Sequence, residues 1–397
     1  MRHISHLVLS FAVASLALSP ITGSAQDTTK VAPPDTTPQA APPPAAAPSL
    51  PFAFSGVMYA NFQYGGLKGN RAQNRFDLDR AYLNFRAGAG EHDSVRVTLD
   101  VYQQRDTTNS AYYRGWAARL KYAYVQYDYI RGLGDELKAN IRLGLLQTVV
   151  IEREEQTWLR GLANVAIEQN GFFASSDAGV ATTVAFPNKR GEFYAVISNG
   201  TGYTSRELDR FKDYAARLTL TPWANSVSYF KGLSISPWYL KGDRASDFAR
   251  KRGTVLAVND GQQRDRYGLL VTIRDPRLSL GAQVARRVDI VESADTTRDL
   301  TPTAVSRTGS VTSVYAIAKP LLFMNAAPEW PLGVVLRMDR VKNNVDADPW
   351  QRNVIAGLSW DFNKKTSVYF DVQALQPKKG STAADTRTFY LHVIANF

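Results

Sequence analysis

FYLHVIANF, residues 389–397, ends the chain and sets how the rest of it is read. Counting back from Phe397 in steps of two gives Ala395, Val393, Leu391 and Phe389, with Asn396, His392 and Tyr390 on the other parity. Successive side chains of an extended chain point to opposite faces. The spacing therefore predicts a strand with one unbroken apolar face that finishes on an aromatic ring.

The same period runs back through the sequence. Val95, Val97, Leu99 and Val101 alternate with Arg96, Thr98, Asp100 and Tyr102, and Tyr214, Ala216, Leu218 and Leu220 with Asp213, Arg217 and Thr219. Tyr267, Leu269, Val271 and Ile273 likewise alternate with Thr272 and Arg274. A period of two predicts strands over 52–64, 74–88, 93–104, 118–130, 138–146, 177–187, 191–199 and 212–221. Eight more follow over 233–243, 266–275, 278–288, 308–319, 332–341, 349–361, 366–375 and 385–397. Within 74–88 the parity breaks, because Phe76 and Leu78 lie on one face but Ala81, Leu83 and Phe85 on the other. A β-bulge near Asp79–Arg80 reconciles them.

Short connections such as 88–93, 187–191, 275–277 and 361–365 are interleaved mostly with longer polar ones. Sixteen antiparallel strands with short turns at one end and longer loops at the other predict an all-β chain, a transmembrane β-barrel. Two connections on the short-turn side, 222–232 and 320–331, are longer and carry Pro and Trp, which leaves the count open by two. Sandwiches, propellers and solenoids also alternate. No repeat of propeller length is present, and aromatic residues recur near strand ends (Tyr127, Tyr129, Trp223, Trp238, Trp330, Trp350, Trp360), where a membrane interface favours amphipathic rings. Lipid offers backbone groups no hydrogen-bond partner, so a sheet crosses a bilayer only when closed.

Composition agrees. The 397 residues include no cysteine, which excludes disulfide scaffolds, thiolate metal sites and cysteine nucleophiles. Hydrophobic residues make up 44%, too many for a disordered chain. Arg2 and His3 precede an apolar stretch from Leu7 to Leu18 and then Gly23-Ser24-Ala25, the layout of a secretory signal over residues 1–25. Its removal takes away Arg2 and no acid, so the net charge of +11 falls by one. Residues 26–51, rich in Pro, Ala and Thr, read as a flexible periplasmic tether, and 52–397 as the barrel domain. An exported chain of this kind has no nucleic acid to meet.

RFDLDRAYLNFRAG (75–88) followed by DSVRVTLDVY (93–102), ANIRLGLLQTVV (139–150) and DYAARLTLTP (213–222) resemble segments of the phosphate-selective porin O and P family of outer-membrane porins. The terminal strand resembles the signal by which barrel-assembly machinery recognises such proteins through a final aromatic residue, here Phe397. The resemblance implies a homotrimer of 16-stranded barrels in a Gram-negative outer membrane, among phospholipid and lipopolysaccharide, with a third loop folded into the lumen.

By the segmentation alone, the connection after Leu146 is the third long loop and the longest. It holds the best helical candidate, Ile151 to Leu162, with Glu152, Arg153, Glu154, Glu155 and Arg160. A loop folded inward would turn these charges toward a permeating solute and form a constriction. Between 148 and 176 acids outnumber bases by two, and no lysine occurs, a departure from what a phosphate constriction requires. On the wall, Arg96, Arg142, Arg217, Arg274, Arg287 and Arg337 fall on polar parity and are expected to line the pore. They are interspersed with Asp100, Asp213, Asp339 and Asp371, so a ladder of cross-lumen ion pairs is an equal expectation. A further basic group, Lys241, Arg244, Arg250, Lys251 and Arg252, offers a surface for anionic solute or outer-leaflet phosphate.

No cofactor or metal is expected, and no enzyme constellation is visible: the expected mature chain keeps only His92 and His392. The expected function is a passive aqueous channel for small hydrophilic solutes, with a mild preference for anions such as phosphate-like or carboxylate species. The alternatives are a porin specific for phosphate, an oligosaccharide or an aromatic acid, and a non-conducting structural or adhesive barrel.

Overall fold

The computed structural model describes residues 52–67, 73–103, 115–134, 136–207, 209–226, 229–245, 261–293, 303–323, 331–346, 349–378 and 384–397. The expected signal sequence and tether, and Arg250, Lys251 and Arg252, lie outside the described residues.

Sixteen strands close into one antiparallel barrel in which each pairs with its neighbours in sequence and the last pairs with the first. They are β1 (Ala53–Leu67), β2 (Gln73–Gly88), β3 (Asp93–Gln103), β4 (Trp116–Ile130), β5 (Lys138–Gln147), β6 (Ser176–Ala185), β7 (Gly191–Ser198) and β8 (Asp213–Leu220). The second half comprises β9 (Leu233–Ala245), β10 (Gly261–Asp275), β11 (Leu278–Ser293), β12 (Thr303–Ala318), β13 (Leu332–Lys342), β14 (Gln351–Asp361), β15 (Thr366–Pro377) and β16 (Thr386–Asn396). The count among the described residues is sixteen; the described parts of 222–232 and 320–331 hold single helical turns, Tyr229–Gly232 and Pro320–Phe323, and add no strand. Strands β10, β11 and β12 run about five residues further than their alternation predicts, because pairing continues where both faces are polar, as at Arg264↔Asp289.

Large apolar side chains such as Val125, Leu143, Leu218, Val284, Val314, Leu336, Met338, Leu358, Phe370 and Leu391 stand exposed on the outer face. That is the pattern of a sheet whose outer solvent is lipid. The closing seam runs from Val57↔Asn396 to Leu67↔Thr386. Beyond it Phe397 donates its N–H to the Gly56 carbonyl (3.0 Å) and accepts from the Gly56 N–H (2.8 Å). Its ring lies on Gly56, where a Cβ would come within 2.3 Å of the ring.

The bulge expected near Asp79–Arg80 is present: Tyr59 opposes Arg80 and Ala60 opposes Leu78, which leaves Asp79 as the extra residue. A second bulge isolates Lys121 between the pairs Thr98↔Tyr122 and Leu99↔Leu120. Bulges re-aim side chains, and here Arg80, Lys121 and Tyr122 all reach the inner face.

The inner face has two characters. From β8 round to β14, and at β16, it carries buried apolar side chains, Ala215, Trp238, Leu240, Leu270, Ala285, Val311, Tyr315, Val335, Ile355 and Ile394, among buried polar ones such as Arg217, Arg266, Gln283 and Arg337. From β1 to β4 it presents Asn61, Gln63, Thr98, Asp100 and Lys121. An apolar inner wall in a barrel this wide needs something to cover it.

The ring of Phe397 on Gly56 sets a steric test of closure. Gly56→Leu should cost about 1–3 kcal/mol by overpacking, seen as a lower unfolding midpoint and a smaller folded fraction on heat-modifiable gel migration. Gly88→Leu, at a position with no atom within 4 Å of the added Cβ, should leave both unchanged.

Candidate functional site

Residues 148–175 cover the apolar wall. Strands β5 to β8 are short, at 10, 10, 8 and 8 residues, so the rim is low where this loop leaves β5. The helix expected over 151–162 is confined to one turn, α1 (Ile151–Glu154), followed by tight turns and a second single turn, α2 (Ala166–Gln169). A short isolated helix gains little from propensity. Docking decides instead: Trp158 is buried and donates Nε1–H to the Ala163 carbonyl (2.8 Å), which folds the chain back on itself. Val149, Val150, Ile151, Leu162, Val165, Ile167, Phe172 and Phe173 bury against the wall, with Phe173 edge-on to Trp238 at 5.2 Å.

Irregular backbone at membrane depth must find hydrogen-bond partners inside the protein. The wall supplies them, mostly through arginine. Arg337 donates to the Asn164 carbonyl (2.7 Å), Arg266 to Phe172 (3.2 Å), Arg287 to Asn170 (3.3 Å), and Arg217 to Val149. Gln373 donates to Leu162 (2.9 Å), and the Thr157 and Tyr315 hydroxyls pair at 2.7 Å. At Gly161 the loop presses on the closing seam, where an added Cβ would meet Ile394 at 2.6 Å and Tyr59 at 2.7 Å. The loop thus crosses the lumen from β5 and β6 to β16 and β1.

Among the six wall arginines expected from parity, Arg217 and Arg337 are buried and spend their donors on the loop, on Glu192 (2.5 Å) and on Asp339 (2.8 Å). Arg287 divides between loop carbonyls and Asp289 (3.8 Å). Arg96 pairs with Glu152 (3.2 Å), and Arg142 bonds Gln126 (2.8 Å) and lies over the Tyr124 ring. Arg274 shares the inward parity of Leu270 and Thr272 and is exposed. Ion pairing is extensive but runs along the wall between near strands and does not cross the lumen as the alternative expected: Arg119 with Asp100 (2.9 Å), Arg264 with Asp213 (2.9 Å), and Arg266 with Asp289 (2.6 Å).

The loop charges divide as well. Glu152 and Arg153 stay accessible, and Arg153 bonds Gln156 (3.1 Å). Arg160 is buried between Glu155 and Glu168 and also bonds Asn164 (3.0 Å), so its charge is compensated within the loop where it borders the open lumen. Glu154 is 1% exposed, beneath the loop, and one of its oxygens has no partner. The expectation that it faces solute fails because the first helical turn points it at the wall.

Open space remains on the other side. One volume of about 630 Å³ is lined by Gln63, Arg75, Asp79, Arg80, Tyr390 and His392, and a second of about 270 Å³ by Tyr82, Arg96, Lys121, Tyr122, Glu152 and Glu155. The two share Tyr59, Arg160 and Gly161, and so meet where the loop touches the seam. A third, about 430 Å³, lies beside Arg142, Arg153, Glu192 and Arg217. Arg75, Arg80, Arg119 and Lys121 are further basic groups not among the six expected, although Arg75 lies on the polar parity opposite Phe76 and Leu78. For Arg80 the signal was present, since the bulge at Asp79 carries it inward. Lys121 lies over the Tyr82 ring at 4.2 Å. A second loop sends Tyr203 to Asp100 (3.2 Å) and Arg119 (3.2 Å), above the same wall.

Burial pushes the Glu154 carboxyl up to about 8, with Asp339 and Glu155 adding to the shift and Arg337 opposing it. Its protonated form is favoured in the docked loop. Docking therefore loses free energy as pH rises from the ordinary value of 4.5, and the loss levels off above about 8. Glu154→Gln should slow limited proteolysis within 148–175 at pH 8 and leave it unchanged at pH 4; equal cleavage of both proteins at pH 8 would place this carboxyl in water.

No family model and no curated protein sequence matches the chain. Solved structures do. An anion-selective porin from Comamonas acidovorans superposes with a TM-score of 0.57 at 11% identity over 87% of this chain and 99% of that one. OprB of Pseudomonas putida gives 0.57 at 11% over 87% and 94%. Salmonella typhi OmpF, in a complex with daunomycin, gives 0.55 at 11% over 87% and 97%. Identity this low establishes a shared fold: the chain has the closed 16-stranded barrel architecture of these porins.

Proposed function

We propose that this chain is an outer-membrane porin, a passive aqueous channel for small hydrophilic solutes with a preference for anions of phosphate or carboxylate type. The observation that carries the reading is the space left beside the inward loop, against β1–β8 and the β15–β16 side of the seam. Around its three volumes eight Arg and Lys side chains stand against four carboxylates. With Glu154 hidden beneath the loop, the acid excess read from residues 148–176 falls from two to one. A solute entering above Arg75 and Arg80 passes the narrowing at Tyr59 and Arg160, then meets Lys121 and Arg96. Guanidinium groups present paired donors that suit carboxylate and phosphate oxygens. The fold shared with an anion-selective porin agrees with this preference.

Export by a signal over 1–25, a tether over 26–51, assembly through the strand ending at Phe397 and a homotrimeric state belong to the same proposal. Phosphate specificity is the narrower form of it, supported by the resemblance of 75–102, 139–150 and 213–222 to the phosphate-selective porin O and P family. The absence of lysine from 148–176 argues for broader anion passage. Affinity for an aromatic carboxylate is a second reading, favoured by Tyr59, Tyr82 and Tyr122 beside Lys121 at the narrowing.

Reversal potentials across planar bilayers in a KCl gradient should have the anion-selective sign. Arg142→Glu with Arg153→Glu should shift them toward cations by several millivolts or more, because neither arginine is held by a carboxylate. An unchanged potential would remove those side chains from the path, and absence of any conductance would defeat the channel reading. Current block by benzoate but not by phosphate would favour the aromatic reading.

A further inference from the structure

Arginine on the inner wall is largely paired with carboxylate or loop carbonyl; on the outer wall a different set is not. In register across the sheet, Arg286 on β11 opposes Ser310 on β12, and Ser310 opposes Lys342 on β13. One step along, Thr312 opposes Arg340, Arg340 opposes Arg352 on β14, and Arg352 opposes Gln376 on β15. Arg286, Arg340 and Arg352 are exposed, on the same outward parity as Val284, Met338 and Leu358.

Among the described residues none of the four cations meets a carboxylate at ion-pair distance. Arg352 bonds the neutral Gln376 (3.0 Å) and Lys342 the Val345 carbonyl (3.2 Å). Arg340 and Arg352 flank the Trp350 ring at 5.5 and 6.0 Å. Like charges directly opposite each other in a sheet repel, and cations bordering hydrocarbon are costly. An arrangement of this kind is favourable when an anion lies over it.

We propose that this patch binds the phosphorylated headgroup of an outer-leaflet glycolipid. The inference rests on the outer-membrane reading above. Three features select a lipid over a free anion. On β13, β14 and β15 the patch lies at the strand ends away from Phe397 and the short turns, the end that faces outward in that reading. It continues directly into the lipid-facing band of Val284, Val314, Leu336, Met338 and Leu358, which acyl chains would cover. Its cations spread over three strand spacings, about 14 Å, which suits a headgroup with two phosphates better than one small ion. The hydroxyls of Ser310 and Thr312 and the Gln376 amide offer hydrogen bonds to sugar.

Native mass spectrometry of the full barrel in neutral detergent, titrated with bisphosphorylated lipid A, tests this. The intact protein should retain the lipid, and Arg340→Gln with Arg352→Gln should lower retention at least tenfold. Lys364→Gln, exposed in the short turn 361–365 at the opposite end of the barrel, should not. Undiminished retention by the double variant overturns the proposal. So does equal retention of phosphatidylethanolamine, or displacement by millimolar inorganic phosphate, which would make the patch a site for the free ion. Folded state is checked by heat-modifiable migration, and the Lys342→Gln variant supplies a second reading if the double variant does not fold. Bilayer conductance of the same preparations separates the two claims: conduction with unchanged lipid retention defeats this site alone, whereas lipid retention without conduction defeats the channel.

Discussion

The carbonyl groups of an irregular loop inside a barrel have no ladder to join, and everything about the lumen depends on how they are satisfied. Here Arg217, Arg266, Arg287 and Arg337, from four separate strands, each give a donor to the backbone between Val149 and Phe172. A long planar donor suits this task, since it can bond a carbonyl at one edge and a carboxylate at the other. Asp339 and Asp289 occupy those second edges and keep the buried charges compensated. Removing a carboxylate would leave a buried guanidinium unpaired, and removing the arginine would leave a carbonyl and an acid.

Once the loop is held, the shape of the free lumen follows. Its apolar side covers the wall from β8 to β14, and its touch at Gly161 closes off the seam. Open space is left against β1–β8, and bulges have turned Arg80 on β2 and Lys121 on β4 toward it. The loop is also self-neutralising: Arg160 sits between two carboxylates, and Glu154 lies where ionisation is disfavoured. The charge that a solute meets therefore belongs more to the wall than to the loop.

Much of the barrel was legible in the sequence because strand period and turn length are local properties. The parity break at Phe76, Leu78 and Ala81 marked a bulge to within a residue. Lys121 gave no such sign, because in RLKYAY the apolar and aromatic residues fit either register. The helix expected over 151–162 failed for a related reason. Local pattern reported a charged amphipathic run, but the decisive partners, Tyr315, Arg337 and Ile394, lie more than 150 positions away in sequence. Parity placed Arg337 on the inner face and could say nothing of the carbonyl it would meet there.

Parity also says which side of the wall a charge is on without saying what it costs there. Arg337 and Arg340 are three residues apart on one strand and face opposite solvents. The inner one is buried and compensated by Asp339, so its charge is structural and nearly silent to anything passing. The outer one faces Arg352 with no carboxylate at ion-pair distance among the described residues, a geometry that raises the free energy of the barrel until an anion arrives. A sheet one residue thick thus separates arginines that hold the pore's shape from arginines that need an external counter-charge, and the difference is set by where the carboxylates are.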